Sequence, residues 1–341
     1  MIRKIVSIAL MLCLLCGCAA PAQKGPTIYE ASYLTLFDTV TIIKGPAESQ
    51  EEFASVAQGL HDEMLRLHQL FDIYHDYEGL NNLKTVNDMA GIEPVQVDSA
   101  IIELLTDCIS YHELTGGRVN VAMGSVLKLW HEARSDGLED IASAKLPDMD
   151  ALKEAAQHTD IESIVIDEAA STVYISDPEV SLDVGAVAKG WAAQRAAEKA
   201  PVGFLMSVGG NVCATGPKSE GNPWVIGVRD PDGAADDYLH TLYVEHGSLV
   251  TSGDYQRTYM VDGEFYHHII DPDTLMPSSY WRSVTILCDD SGLADALSTA
   301  LFLMDREAGQ QLLTQCAAEA MWVNAAGEIF YSPGFETSIR T

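Results

Sequence analysis

Apolar residues recur at helical spacing over residues 51–71, where Phe53, Val56, Leu60, Met64, Leu67 and Phe71 form one stripe. That period predicts an amphipathic helix whose stripe belongs to a core. Ahead of it, the alternation over residues 33–43 predicts a first strand. Residues 99–114 read as a second amphipathic helix, stopped by Gly116-Gly117. Residues 126–130 are mostly apolar, and the charged stretch 131–147 reads as a surface insertion. Residues 148–158 look helical, and 163–167 with 172–176 look like strands joined by a short turn.

The second half keeps this alternation of element types. An Ala-rich helix is expected over 192–200, after Gly185. Strands are expected over 204–208, 224–228 and 283–288, and residues 241–245 alternate. Asp262-Gly263 separates 256–261 from 264–270 and predicts a hairpin. Helices are expected over 293–304 and 306–316, then a last hairpin over 320–324 and 328–331. No internal repeat occurs. The pattern predicts an α+β fold with mixed, largely antiparallel sheets and packed helices.

The first residues carry a different signal. Arg3 and Lys4 precede an apolar run over 5–15 that is short for a membrane span. Leu15-Cys16-Gly17-Cys18 then resembles a bacterial lipobox. Residues 1–17 are thus expected to be a lipoprotein signal peptide, Cys18 the lipidated residue, and 18–29 a tether. A single domain over 30–341 would sit on the extracytoplasmic face of the cell membrane, anchored and not spanning it. Cys108, Cys213, Cys288 and Cys316 remain, widely spaced and without a CxxC pair, and read as buried free thiols.

The 341 residues carry a net charge of −30. Such acidity argues against binding nucleic acid or an anionic membrane surface by electrostatics. An anionic ligand would need a metal or a local positive pocket.

Ser181-Leu182-Asp183-Val184-Gly185-Ala186-Val187-Ala188-Lys189-Gly190 leads from a turn into the Ala-rich helix. Backbone donors at a helix start suit an anion, and Lys189 adds charge. The same stretch also serves as a plain strand-to-helix connection. Asp295 and Thr299, four apart, share one helix face. With a backbone carbonyl they would suit a hard cation such as Mg²⁺. An early-helix Asp favouring the positive end of the dipole gives the same pattern.

His268, before Ile269-Ile270-Asp271-Pro272, can take a proton or steady a phosphate. His267 and His268 would face opposite sides of a strand and so would not chelate one ion. Thr251-Ser252-Gly253 offers hydroxyls to a phosphate, or simply turns. Tyr74 leaves its helix into a polar loop, where it can cover a planar ligand or pack.

Taken in order, these stretches resemble the ApbE family, the FAD:protein FMN transferases. The resemblance covers roughly residues 30–335. Residues 181–190 look like the family's LDLGgiAKG, and Val208-Gly209-Gly210-Asn211 like its GGD/N turn. Thr251-Ser252-Gly253-Asp254-Tyr255 is similar to its TSGxY, His268-Ile269-Ile270-Asp271-Pro272 to its HIIDP, and residues 294–300 to its ADALaTA helix. Three stretches depart. Phe37-Asp38-Thr39 stands for Met-Gly-Thr, residues 119–125 for FDxTVGP, and Thr274-Leu275-Met276-Pro277 for Thr-Gly-x-Pro.

The resemblance implies a single ApbE-like domain with Mg²⁺ as cofactor and FAD as substrate. It implies that Asp183 and Lys189 contact FAD, with Phe37, Tyr74, Ala122, Met123, Gly124, Ser252 and Ile270 along the same ligand. The Ala186 carbonyl would join Asp295 and Thr299 around Mg²⁺. His268, with Asp271, would serve proton transfer. The implied reaction moves FMN from FAD to a Thr or Ser hydroxyl and releases AMP. Acceptors would be exported or membrane-bound flavoproteins of electron-transfer complexes with a [ST]GA[ST]-type site. An FAD pyrophosphatase giving FMN and AMP, or a non-catalytic FAD-binding lipoprotein, would use the same residues.

Overall fold

The computed structural model describes residues 27–219, 221–234 and 237–340. The signal peptide and Cys18 lie outside these residues. Eight antiparallel strands form the central sheet. Their spatial order is Thr27–Tyr33, Thr41–Ala47, Leu205–Val208, Asn211–Ala214, Gly247–Gly253, Ser283–Cys288, Ala318–Val323 and Ile329–Tyr331. Small sheets flank it: Val95–Gln96 with Thr172–Ile175 and Ile164–Asp167, the hairpin Trp224–Arg229/Tyr238–Val244, and the hairpin Tyr259–Val261/Glu264–Tyr266.

The sheet is covered on both faces because its strands alternate between two cores. Met206 and Val208 point to the helical side, while Leu205 joins Trp224, Ile226, Leu242 and Phe335 under the hairpin. The helical side holds Gln50–Phe71, Ser99–Leu114, Ala188–Lys199 and Ser291–Phe302. Ser49 caps the first of these by accepting from the Glu52 N–H at 3.1 Å. Its expected stripe packs inward, with Phe53, Leu60, Met64, Leu67 and Phe71 buried and Val56 partly so.

The expected strand over 33–43 is two strands and a turn. Thr27–Tyr33 pairs with Thr41–Ala47, Tyr33 opposite Thr41. Between them Phe37 and Asp38 take left-handed backbone angles, φ 52° and 53°. Leu36 and Phe37 are both buried, so neighbouring apolar side chains must turn inward together, which a strand cannot do. The strand begins at Thr27, so residues 27–29 of the expected tether lie in the sheet. Tyr29 stacks on Phe53 with ring centroids 5.7 Å apart.

The expected insertion over 131–147 is also different. The helix Gly124–Glu139 runs through it, with Trp130, Ala133 and Gly137 buried along one side. Trp130 and Ala133 pack with Tyr259, Val261, Ile270 and Leu275 in a third core. Smaller differences fall at ends. The strand before His267 stops at Tyr266, and the two C-terminal helices span Ser291–Phe302 and Arg306–Leu313. Cys108, Cys213 and Cys288 are buried free thiols and Cys316 is half-buried. No described helix is long and apolar enough to cross a membrane.

Candidate functional site

The glycine-bearing turn is held by two partners distant in sequence. The Asp183 N–H donates to the Val121 carbonyl at 2.8 Å, and the Gly124 N–H to the Ser181 carbonyl at 2.9 Å. Asn87 accepts from the Leu182 N–H at 2.7 Å and donates to its carbonyl at 3.1 Å. A Cβ on Gly124 would meet the Ser181 carbonyl carbon at 2.7 Å, so glycine alone permits this approach. Ala122, Met123 and Gly124 thus lie directly against residues 181–183. Asp183 Oδ1 accepts from the Gly185 N–H at 2.8 Å and tightens the turn.

Beyond that turn, Val187 starts the helix Ala188–Lys199 without a side-chain cap. The missing cap comes from another helix. Asp295 Oδ2 accepts from the Gly190 N–H at 2.8 Å and lies 3.6 Å from Lys189 Nζ. Lys189 Nζ also donates to the Gly185 carbonyl at 3.1 Å. Asp295 is nearly fully buried. It does not serve its own helix start, because Asp290 does so by accepting from the Leu293 N–H at 2.7 Å. The plain dipole account of Asp295 therefore gives way to a junction between two helices.

Thr299 follows Asp295 by one turn, and Ala186 lies half-buried in the turn before the other helix. Among the described residues no hydrogen bond falls on Asp295 Oδ1, which leaves one carboxylate oxygen open. A carboxylate, a hydroxyl and a carbonyl form an all-oxygen set, and hard cations such as Mg²⁺ accept few protein ligands with water and phosphate completing the shell. The set holds a single carboxylate. No group of three His, Cys, Asp or Glu residues able to hold a metal occurs among the described residues.

Ser252 reaches the same helix from the central sheet, its Oγ 2.8 Å from Ser298 Oγ. Its hydroxyl is therefore shared with Ser298. Phe37 is buried at the left-handed turn and its N–H donates to His68 Nδ1 at 3.2 Å. Ile270 is buried beside Met123 in the third core.

The two histidines lie past the end of the strand at Tyr266 and take different partners. His267 lies 2.8 Å from the Ser278 carbonyl through Nε2 and accepts from the Ile269 N–H at 3.2 Å. His268 Nδ1 lies 3.2 Å from the Gln256 carbonyl. A carbonyl only accepts, so Nδ1 carries the proton and Nε2 keeps its lone pair. Burial, then the charges of Arg257 and Lys189, push His268 down to about 3. Its ring is neutral near pH 7. Asp271 holds the next turn. Its Oδ1 accepts from the Asp273 and Thr274 N–H groups at 2.7 and 3.2 Å. Arg118 Nη1 stands 3.5 Å from that oxygen. Asp271 thus shapes the loop behind His268.

Three residues outside the sequence reading join the site. Tyr74 Oη lies 2.7 Å from His131 Nδ1. Arg134 and Arg257 act on both, as does Asp183. Desolvation, then the Asp183 charge, push the Tyr74 phenol up to about 12 although its ring flank is open to solvent. Arg257 also acts on His268, and so links the tyrosine end to the lysine end. A signal for His131 and Arg134 did exist in the sequence. Trp130, Ala133 and Gly137 continue the helical stripe, and a continued helix puts positions 131 and 134 side by side. Arg257 carries no such signal, because it sits at φ 46° in an irregular loop.

The model of the ApbE family matches residues 35–322. The chain belongs to the ApbE family. This ApbE-family chain is 30% identical to an FAD:protein FMN transferase of Treponema pallidum, over 98% of its own length and 95% of the relative's. It is 30% identical to one from Klebsiella pneumoniae, over 75% and 80%. Among solved structures, the ApbE protein of Thermotoga maritima superposes with a TM-score of 0.82 at 31% identity. That match covers 92% of this chain and all of the other. The α+β class with antiparallel sheets and packed helices is the fold of this family.

Proposed function

We propose that this protein is an FAD:protein FMN transferase. It moves FMN from FAD to a Thr or Ser hydroxyl of an acceptor flavoprotein and releases AMP. The observation that carries this reading is the junction of Lys189, Gly190 and Asp295, which joins motifs 105 positions apart at one helix start. Two curated relatives at 30% identity share the transferase name.

In the proposed step, the acceptor oxygen bonds to the riboflavin-side phosphorus, and that phosphorus loses its bond to the bridging oxygen. AMP leaves with that oxygen. Asp295, Thr299 and the Ala186 carbonyl would hold Mg²⁺, whose charge would offset that of the diphosphate. Lys189 places a cation beside the same carboxylate. His268 Nε2 takes the acceptor's proton. Burial, then Arg257 and Lys189, hold its proton affinity down, and an incoming diphosphate offsets both charges. Its basicity therefore rises once substrate is bound. Asp183, Tyr74 and the Ala122–Gly124 backbone line the dinucleotide.

We further propose that the mature chain is lipid-anchored through Cys18 at the extracytoplasmic face. Its acceptors are then exported or membrane-bound flavoproteins carrying a [ST]GA[ST]-type site.

Incubation with FAD, Mg²⁺ and such an acceptor should add the mass of an FMN phosphoester to the acceptor, with AMP in equal amount. Free FMN with an unmodified acceptor would make the protein a pyrophosphatase instead. Bound FAD without AMP would make it a storage protein.

The state of His268 is testable without turnover. Its folded proton affinity lies below the ordinary value of roughly 6.5. The unfolded chain therefore binds the extra proton, and this group disfavours the fold as pH falls from about 6.5 toward 3. His268→Gln should lose less melting temperature than the parent between pH 7 and 4.5. Equal losses in both proteins would mean that the imidazole is not held neutral.

A further inference from the structure

Every described arginine except two has a charged or aromatic partner. Arg66, Arg118, Arg195 and Arg282 make ion pairs. Arg229, Arg306 and Arg340 lie over the rings of Tyr255, Phe330 and Tyr243. Arg134 and Arg257 have neither, in a chain with 50 acidic residues to 20 basic ones. They come from elements far apart in sequence, the helix Gly124–Glu139 and the loop before Tyr259–Val261. Arg134 is half-buried, and its Nη1 is fully buried without a hydrogen-bond partner. Arg257 is exposed, on backbone at φ 46°.

Placing two unpaired guanidinium groups together is costly. Arg134 loses hydration and meets the like charge of Arg257, so that burial, and then Arg257, weaken its hold on its proton. A surface with this much acid offers carboxylates readily, yet neither arginine has one. Both charges act on the hydrogen-bonded Tyr74 and His131, and Arg257 also acts on His268, which is bonded to the carbonyl of Gln256, the neighbour of Arg257.

We propose that Arg134 and Arg257 form a two-arginine clamp for the diphosphate of the dinucleotide substrate. The clamp rests on the flavin-transfer reading for the identity of that anion. Arg134 supplies the desolvated inner contact and Arg257 closes from the rim, continuing the positive line that begins at Lys189. A guanidinium presents two parallel N–H donors to phosphoryl oxygens, which a lysine cannot match. The clamp would discriminate a diphosphate from riboflavin, which has the same ring and no phosphate. Both arginines would therefore touch the diphosphate whose bridging P–O bond is exchanged, across from the Lys189–Asp295 junction.

The test measures equilibrium binding of FAD, inorganic pyrophosphate and riboflavin to the full chain with Mg²⁺. The proteins compared are the parent, Arg134→Gln, Arg257→Gln and Arg134→Lys. Each glutamine variant should bind FAD and pyrophosphate roughly ten- to a hundredfold more weakly, with riboflavin unchanged and the salt dependence reduced. Arg134→Lys should recover only part of the loss. Without ligand, Arg134→Gln should melt at or above the parent's temperature, since removing an unpaired buried charge relieves strain. A lower melting temperature there would mean that Arg134 serves the fold, and would overturn the clamp. So would FAD and pyrophosphate affinities equal to the parent's, although the transfer reading would stand. Pyrophosphate binding that depends on the two arginines, with no FAD binding by the parent, would keep the clamp and reject the transfer reading. Failure of both ligands to bind the parent would reject both.

Discussion

Asp295→Ala should lower FMN transfer at least about a thousandfold, as the loss of a preorganised electrostatic contact to a transferring phosphate does. Two roles meet in this side chain, and the size of the effect depends on separating them. Oδ2 caps a foreign helix through the Gly190 N–H, and the carboxylate charge sits beside Lys189. Alanine removes both. Loss of the cap costs about 1 kcal/mol, which a domain of this size survives. Loss of the charge leaves Lys189 without its anion and the proposed cation site without its only carboxylate. Asp295→Asn separates the roles, since its amide oxygen still accepts from Gly190 while the charge is gone. Transfer rates by acceptor mass and thermal melts should show both variants inactive, with the Asp295→Asn protein nearly as stable as the parent. Activity within tenfold of the parent in either variant would remove Asp295 from the mechanism.

Gly190→Ala should have the largest effect on stability, about 3 kcal/mol lost in urea unfolding. A Cβ there would lie 2.5 Å from Asp295 Cβ and would run into the Ser291 carbonyl oxygen. Both obstacles belong to the first turns of a buried helix, so neither can swing aside as the end of a long side chain would. The two helices must part, and the Gly190 N–H then leaves Asp295. The same methyl group should therefore abolish transfer even though Gly190 touches no substrate. A urea midpoint equal to the parent's would mean that the helices have room to separate at this point.

How much of this was legible beforehand depends on which residues carry the information. The helix over Gln50–Phe71 was readable because its stripe repeats over many residues and Ser49 stands at its start. The sheet pairings Ser283–Cys288 with Ala318–Val323 were readable as strands, though not as neighbours. The turn at Phe37-Asp38 was misread, because two adjacent buried apolar residues imitate a strand when only every other position is counted. Residues 131–147 were misread because their charges hid a sparse stripe of one tryptophan, one alanine and one glycine. The resemblance to ApbE supplied the site motifs, and physical reading of Asp295 alone favoured a helix-end role. The Asp290 cap shows that Asp295 does not serve its own helix start, and the Gly190 contact shows that it serves another's.

Local order along this chain is set by repeat period, caps and glycine turns, which act within a few residues and are written in the sequence. The α+β class, most elements and the glycine-bearing turn at residues 181–190 follow from those alone. The tertiary structure decided what meets across 105 positions at Gly190 and Asp295, and which arginines were left without anions. Those outcomes depend on how helices pack and which charges lose water together. Such energies arise between segments far apart in the chain, and no local pattern records them.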